Sequence, residues 1–137
     1  MRRLTVRDAP DCAQLHAQCF DRPWSHKSFV DILGDPKTFG FGLESEGYVI
    51  CRSVLDEAEL LTICTATHKR RTGLAYRLIG AAIADCQELN VRRFFLEVAE
   101  TNIAARALYL KMRFVETGMR PNYYGREAAI LMEFDCA

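Results

Sequence analysis

The chain has 137 residues, 50% hydrophobic and 26% charged, the size and composition of one globular domain; disorder, collagen and coiled coil are excluded. Lysine plus arginine number 18 and aspartate plus glutamate 18, and a net charge of zero argues against a nucleic-acid binder, which carries a basic excess. No apolar run approaches the ~18 residues that cross a bilayer, and the basic start Met1–Asp8 has no apolar segment behind it, so neither a membrane partner nor a secretory signal is expected.

Leu4 and Val6 alternate with polar residues and predict a short first strand. Asp8 is placed to cap a helix running to about Phe20, with Ala13, His16, Ala17 and Phe20 on one face. Asp21-Arg22-Pro23 breaks it. Ser25 caps a second helix, whose apolar face carries Phe29, Ile32 and Leu33 and which Gly34 and Pro36 end. Residues 38–43 and 47–55 read as strands joined by Glu44-Ser45-Glu46-Gly47, and 58–66 as a more apolar third. Basic His68-Lys69-Arg70-Arg71-Thr72-Gly73 then leads into a long helix to about Leu89. Its Leu74, Leu78, Ile79, Ala82, Ile83 and Cys86 keep a 3.6 period, and Asn90 is a left-handed stop. Residues 92–99 form a strand with Phe94, Leu96 and Val98 on one side and Phe95, Glu97 and Ala99 on the other. Thr101 or Asn102 caps a short helix to about Lys111. Strands near 113–119 and 127–135 close the chain, separated by Arg120-Pro121-Asn122-Tyr123-Tyr124-Gly125. The order β-α-α-β-β-β-α-β-α-β-β predicts a single α/β domain, 1–137, with a mixed sheet flanked by helices.

The six cysteines form no C-x-x-C pair, and Cys51, Cys64 and Cys86 sit in apolar periodic segments. Reduced, mostly buried thiols in a cytoplasmic protein are the expectation. His16, His26 and His68 lie far apart, so no metal-ligand spacing is present.

The junction at 68–75 carries the clearest chemistry. A strand runs through a basic loop and a glycine into a helix, whose first N–H groups lack partners and carry about half a positive charge. An anion satisfies both, Gly73 and Ala75 let it approach the backbone, and Lys69, Arg70, Arg71 and Arg77 add charge. The segment is neither a Walker A loop nor a three-glycine dinucleotide fingerprint. A solvated basic turn capping a helix is the competing reading.

Arg70-Arg71-Thr72-Gly73-Leu74-Ala75 resembles the Gln/Arg-x-x-Gly-x-Gly/Ala motif of the GNAT acetyltransferases. The resemblance extends to the strand order, to Leu96-Glu97-Val98, to Asn102 and to Ala107-Leu108-Tyr109, and so covers nearly the whole chain. Pro23-Trp24-Ser25 and Asn122-Tyr123-Tyr124 resemble the RimI-type branch, which acetylates the N-terminal alanine of a small-subunit ribosomal protein. The resemblance implies a splayed GNAT sheet, acetyl-CoA as co-substrate and direct transfer. It implies that residues 70–76, Arg70 through Tyr76, hold the pyrophosphate, that the backbone of Ile63, Cys64 and Thr65 pairs with pantetheine and polarises the thioester, and that Asn102 bonds the same arm. Thr72, Leu74 and Ala75 fall inside the motif. Trp24, Tyr123 and Tyr124 would line the peptide site.

Glu97 stands mid-strand between apolar neighbours, where a carboxylate is costly unless paired, for instance with Arg106, or turned to a cleft. The resemblance makes it the base, directly or through water, and Tyr109 the acid that protonates the departing thiolate. On residues alone Tyr109 reads as a core tyrosine and Asn102 as a helix cap. Cys64 would suit a covalent acetyl-cysteine route, but nothing basic adjoins it in sequence. Neutralising an α-amine of pKa ~8 rather than a lysine of ~10.4 saves roughly 3.3 kcal/mol, which favours an N-terminal acceptor. Lysine, polyamine or other small-amine acetylation, and a CoA-binding module without catalysis, are the alternatives. The acidic stretch Asp56, Glu57 and Glu59 is a solvated turn or an attractor for a basic tail. Arg113 stands where the family has glycine, so the turn before Phe114 must avoid or bear a positive φ. Thr65 replaces an aliphatic residue, and Ala128 stands where an acid is common in the branch.

Overall fold

A computed structural model describes the backbone of residues 1–124 and 127–137 and the side chains of 1–121 and 127–137. Its first elements depart from the sequence expectation. Strand β1 is only Arg2–Arg3, paired with β2 (Thr38–Leu43) through Arg2↔Gly42 and Arg3↔Phe41. The alternation at Leu4 and Val6 belongs instead to a 3-10 turn, Val6–Asp8, closed by a capping box: Thr5 Oγ1 accepts from the Arg7 N–H, and the Asp8 carboxylate accepts from the Thr5 N–H at 2.8 Å. Arg2 also donates to Asp8, so that carboxylate does not cap α1 (Ala9–Cys19). Burial alone would push the Asp8 carboxyl up, but the hydrogen bonds and charge it receives outweigh this and hold it below its ordinary value. Helix α1 buries Ala9, Cys12, Leu15 and His16, while Ala17 and Phe20 are exposed; Phe20 has already left the helix in extended conformation.

Helix α2 (His26–Gly34) starts as expected, with Ser25 Oγ accepting from the Ser28 N–H at 3.1 Å and Phe29 fully buried. Strands β2 (Thr38–Leu43), β3 (Gly47–Val54) and β4 (Glu57–Thr65) form an antiparallel meander. Helix α3 is Leu74–Glu88, followed by Asn90 at φ 59, the expected left-handed stop. Strand β5 (Arg93–Ala99) alternates as its sequence requires: Phe94, Leu96 and Val98 are buried. Helix α4 (Ile103–Lys111) is capped by Asn102, whose Oδ1 accepts from the Ala105 N–H at 3.2 Å. Strand β6 (Val115–Tyr124) runs five residues past the expected end, because Pro121 is tolerated on an edge strand and Tyr124 pairs with Glu127 of β7 (Glu127–Asp135).

Among the described residues the seven strands form one sheet, in the order β1-β2-β3-β4-β5-β7-β6. β4 and β5 are parallel and pair only through Glu57↔Arg93, Ala58↔Phe94 and Glu59↔Phe95. Directly afterwards the β3–β4 register jumps: Cys51 pairs Leu60 and Ile50 pairs Thr62, leaving Leu61 as an extra residue. Such a bulge bends its strand and raises the local twist. β4 stays with β3 and leaves β5, which remains paired with β7 as far as Ala99↔Ala129. The sheet is therefore mixed and splayed, as expected.

Each face has its own core. Leu74, Leu78 and Ile79 of α3 and Tyr109 of α4 pack with Phe94, Leu96, Val98 and Phe114 on one face. Leu15 and Cys12 of α1 and Phe29 of α2 pack with Tyr48, Ile50 and Cys64 on the other. Arg3 reaches the buried Asp85 of α3 at 2.8 and 3.0 Å, tying the N-terminus to that helix. All six cysteines are free thiols.

Arg113 bears the positive φ that the sequence raised: φ is 75, with its N–H on the Leu110 carbonyl at 3.0 Å. The left-handed conformation costs a non-glycine residue roughly 1–2 kcal/mol, and glycine returns part of that as unfolded-state entropy. Arg113→Gly should stabilise the chain by about 0.5–1 kcal/mol in urea unfolding, and a loss of stability would mean that the arginine side chain makes good the strain.

Candidate functional site

The entrance to α3 is built from backbone. After the 3-10 turn Thr67–Lys69, Arg71 (φ 65) and Gly73 (φ 82) both adopt left-handed conformations. The first N–H of the helix to find a carbonyl is that of Arg77, on Gly73 at 3.1 Å. Among the described residues the N–H groups of Arg71, Thr72, Gly73, Leu74, Ala75 and Tyr76 have no protein acceptor. Thr72 tightens this loop by donating its hydroxyl to the Lys69 carbonyl at 2.5 Å. A Cβ on Gly73 would meet nothing within 4 Å, so space is open above this backbone, and the positive φ is what requires glycine. Lys69 is shared with Glu46 at 3.3 Å, and Arg70 lies 3.9 Å from Cys19 Sγ.

These groups close one end of a cleft of about 600 Å³. Its walls are Ile63, Cys64 and Thr65 of β4, the α3 entrance, and Asn102, Leu108 and Tyr109 at α4. The split in the sheet makes this cleft, because one edge of β4 past Glu59 has no strand beside it and keeps its backbone groups available for an extended ligand. Of the residues expected to hold a cofactor, Ile63, Cys64, Thr65, Arg70, Arg71, Gly73, Leu74, Ala75, Tyr76 and Asn102 line the cleft. Thr72 does not; its hydroxyl is committed to the loop. Tyr109 lines it, buried to 5% exposure with its ring 5.6 Å from that of Phe114.

Glu97 is elsewhere. It shares a face of β5 with Phe95 and Ala99, opposite to the face that packs on Tyr109. Its partner is not Arg106, which pairs with Glu116 at 3.0 Å and donates to the Glu100 carbonyl at 2.8 Å. Glu97 Oε1 instead accepts from Arg120 of β6 at 2.6 Å. Tyr109 and Glu97 therefore flank the split from its two sides. Trp24 does not line the cleft. It is half-buried, 5.0 Å from His16 and 5.5 Å from Phe29 between ring centroids, and its backbone N–H donates to His16 Nδ1 at 3.1 Å. The side chains of Tyr123 and Tyr124 lie outside the described residues. Glu57 and Glu59 stand at the start of β4, the end away from the cleft, so the acidic stretch is not part of its wall.

Burial pushes the Cys64 thiol well up, and its Sγ lies 3.7 Å from the Leu15 carbonyl, so it is a poor nucleophile at neutral pH. Cys19 and Phe20 line the cleft without having been singled out in the sequence. Phe20 read as part of the α1 apolar face, and the one signal against that was the helix-breaking Asp21-Arg22-Pro23 directly after it. Chemically, the cleft offers backbone donors suited to an anion at α3 and free backbone groups along β4. Tyr109 is part of its wall, and the Glu97 carboxylate stands on the other face of the sheet.

The acetyltransferase (GNAT) family model matches residues 9–114. The ribosomal protein bS18-alanine N-acetyltransferase of Escherichia coli K12 is 34% identical over 137 aligned residues, covering 94% of this chain and 92% of that one. The enzyme of the same description from Salmonella typhimurium is 33% identical with the same coverage. The crystal structure of the ribosomal-protein-S18-alanine N-acetyltransferase from Escherichia coli superposes with a TM-score of 0.89 at 30% identity, covering 99% of this chain and 92% of that one. Arabidopsis thaliana NAA60 in complex with acetyl-CoA, at 18% identity and TM-score 0.84 over 98% of this chain and 96% of that one, shares the fold.

Burial lowers the His16 pKa below its ordinary value near ~6.5. The unfolded chain then takes the proton first. Stability should be level above about pH 6.5 and fall as pH drops toward the lower folded pKa, where the imidazolium also gives up the acceptor held by Trp24. Urea midpoints across this range should show the decline, and His16→Gln should flatten it; an equal slope in the variant would assign the decline to carboxylates.

Proposed function

The chain belongs to the acetyltransferase (GNAT) family, and from that premise we propose that it transfers an acetyl group from acetyl-CoA directly to the N-terminal amine of a protein. The acceptor is the alanine of a small-subunit ribosomal protein such as bS18. The observation that carries this reading is the run of unpartnered N–H groups from Arg71 to Tyr76 at the mouth of a cleft of about 600 Å³. The substrate class is supported by the bS18-alanine N-acetyltransferases that match almost the whole chain.

Acetyl-CoA supplies the activated acetyl thioester. The α3 entrance, with Arg70 and Arg71, takes the diphosphate, and the helix N-terminus favours its charge. The free edge of β4 at Ile63–Thr65 pairs with the amides of the arm, and its N–H groups polarise the thioester carbonyl. Oδ1 of Asn102 is spent on its helix cap, which leaves the NH₂ group to donate to the arm. Glu97 receives the proton of the substrate ammonium from the other side of the split. The freed amine nitrogen bonds to the acetyl carbon as the C–S bond breaks, the Tyr109 hydroxyl gives its proton to the sulfur, and the second proton that the nitrogen sheds on becoming an amide restores that hydroxyl. A single surface carboxylate suits an α-amine better than a lysine, by the roughly 3.3 kcal/mol that separates their neutralisation. The raised Cys64 pKa supports direct transfer over an acetyl-cysteine.

Incubation with acetyl-CoA and a peptide of the bS18 N-terminus should add one acetyl group at the terminal alanine, read by mass spectrometry. Acetylation of spermidine or a lysine side chain alone would replace the acceptor. Tyr109→Phe should lower kcat about a hundredfold while leaving CoA affinity in place. Gly73→Trp should abolish the calorimetric heat of CoA binding, and a wild-type chain that gives no such heat would end the reading.

A further inference from the structure

We propose that Arg120 is a displaceable counter-ion of Glu97, which the cationic amine of the acceptor replaces as it pairs with that carboxylate. The inference rests on the acceptor reading above and adds a residue that determines which ligands the base admits. The geometry on the sheet suggests it. Glu97 pairs across β5–β7 with Leu131, and Ala99 with Ala129; on β6, Arg120 pairs with that same Ala129. Directly opposed residues of a sheet share a face, so Glu97 and Arg120 stand on one face with β7 between them. The floor at that point is the methyl group of Ala129, fully buried, over which a long guanidinium side chain can lie. Arg120 crosses it to donate to Glu97 Oε1 at 2.6 Å.

The guanidinium thus holds Oε1 and neutralises the carboxylate that an incoming ammonium would pair with. Two features make the exchange easy. Arg120 stands on the edge strand with 54% of its side chain exposed, so water reaches the guanidinium where it meets Glu97. An ion pair this open to water contributes little, at most a factor of about five in an equilibrium. An α-amine of pKa ~8 arrives mainly as the cation at neutral pH, so one positive charge replaces another at Glu97 and no charge is stranded. Once the ammonium proton has passed to Glu97 and the amine has become an amide, the product carries no cation to hold the carboxylate. After Glu97 loses that proton to water, Arg120 returns. A neutral terminus, acetylated already, never displaces it.

The experiment measures peptide affinity by calorimetry on the full chain loaded with CoA, beside steady-state kinetics with acetyl-CoA. The acceptor is the alanyl peptide, and the control is the same peptide with its terminus already acetylated. Arg120→Gln should tighten the alanyl peptide about fivefold and lower its KM by the same factor, with kcat and the KM for acetyl-CoA unchanged. The acetylated peptide should bind both proteins equally, and Arg120→Lys, which keeps the cation, should stay close to wild type. Weaker alanyl-peptide binding in Arg120→Gln would make Arg120 a peptide contact. A kcat loss in Arg120→Gln that Arg120→Lys restores would make it an orienting group for Glu97. Equal tightening of both peptides would make the effect one of bulk. Each of these overturns the exchange. Because affinity is read without turnover, an inactive chain whose calorimetry follows the expected pattern would fault the acceptor reading and leave the exchange standing.

Discussion

The parting of β4 from β5 is the constraint on which the rest of this molecule depends. Adjacent parallel strands ordinarily satisfy each other along their length, yet here three residue pairs are made and the extra residue Leu61 then turns β4 aside. The cost is a row of backbone groups on β4 with no strand to meet. The offset comes from the meander on one side and the seven β5–β7 pairs on the other, which hold the two halves while the middle stays open. An opening through a sheet has two sides, and the chain uses both: Tyr109 reaches it from the α3–α4 face, and Glu97 stands on the reverse.

Recognition at the open end belongs to the main chain. The donors at the α3 entrance are amides, presented by two consecutive departures into left-handed backbone at Arg71 and Gly73. Glycine adopts that conformation freely, whereas the arginine holds it at a cost of roughly 1–2 kcal/mol. Strain is thus concentrated where a ligand would repay it, a pattern common at binding sites. A chain with no net charge still offers a local cationic mouth here, because Arg70 and Arg71 flank the helix end while Lys69 is partly neutralised by Glu46.

Acidic residues are managed differently in the core and at the site. Asp8 and Asp85 are buried, and each is met by an arginine of β1, which fastens the N-terminus to the helices of both faces. Losing one partner of such a pair is far more damaging than the pair is stabilising. Glu97 is half-buried and its arginine comes from the outermost strand, where the side chain has water on one side. The first arrangement fixes a structure, and the second leaves a carboxylate that can change partners.

What the sequence determined by itself was local. The caps at Ser25 and Asn102, the 3.6 period of α3, the stop at Asn90, the alternation of β5 and the helix entrance at Gly73 all rest on interactions within about four residues, and each was legible for that reason. The motif from Arg70 to Ala75 carried the cleft wall with it, apart from Thr72. Only the tertiary structure decided which carboxylate meets which arginine, since Glu97 and Arg120 lie 23 positions apart and a third strand separates them. It likewise decided that α1 turns a different face inward, that Phe20 and Cys19 reach the cleft, and that β6 runs on to Tyr124. Periodicity reports that one face of an element is apolar, whereas the neighbour it meets is set by packing and strand register, which pair residues remote in the chain.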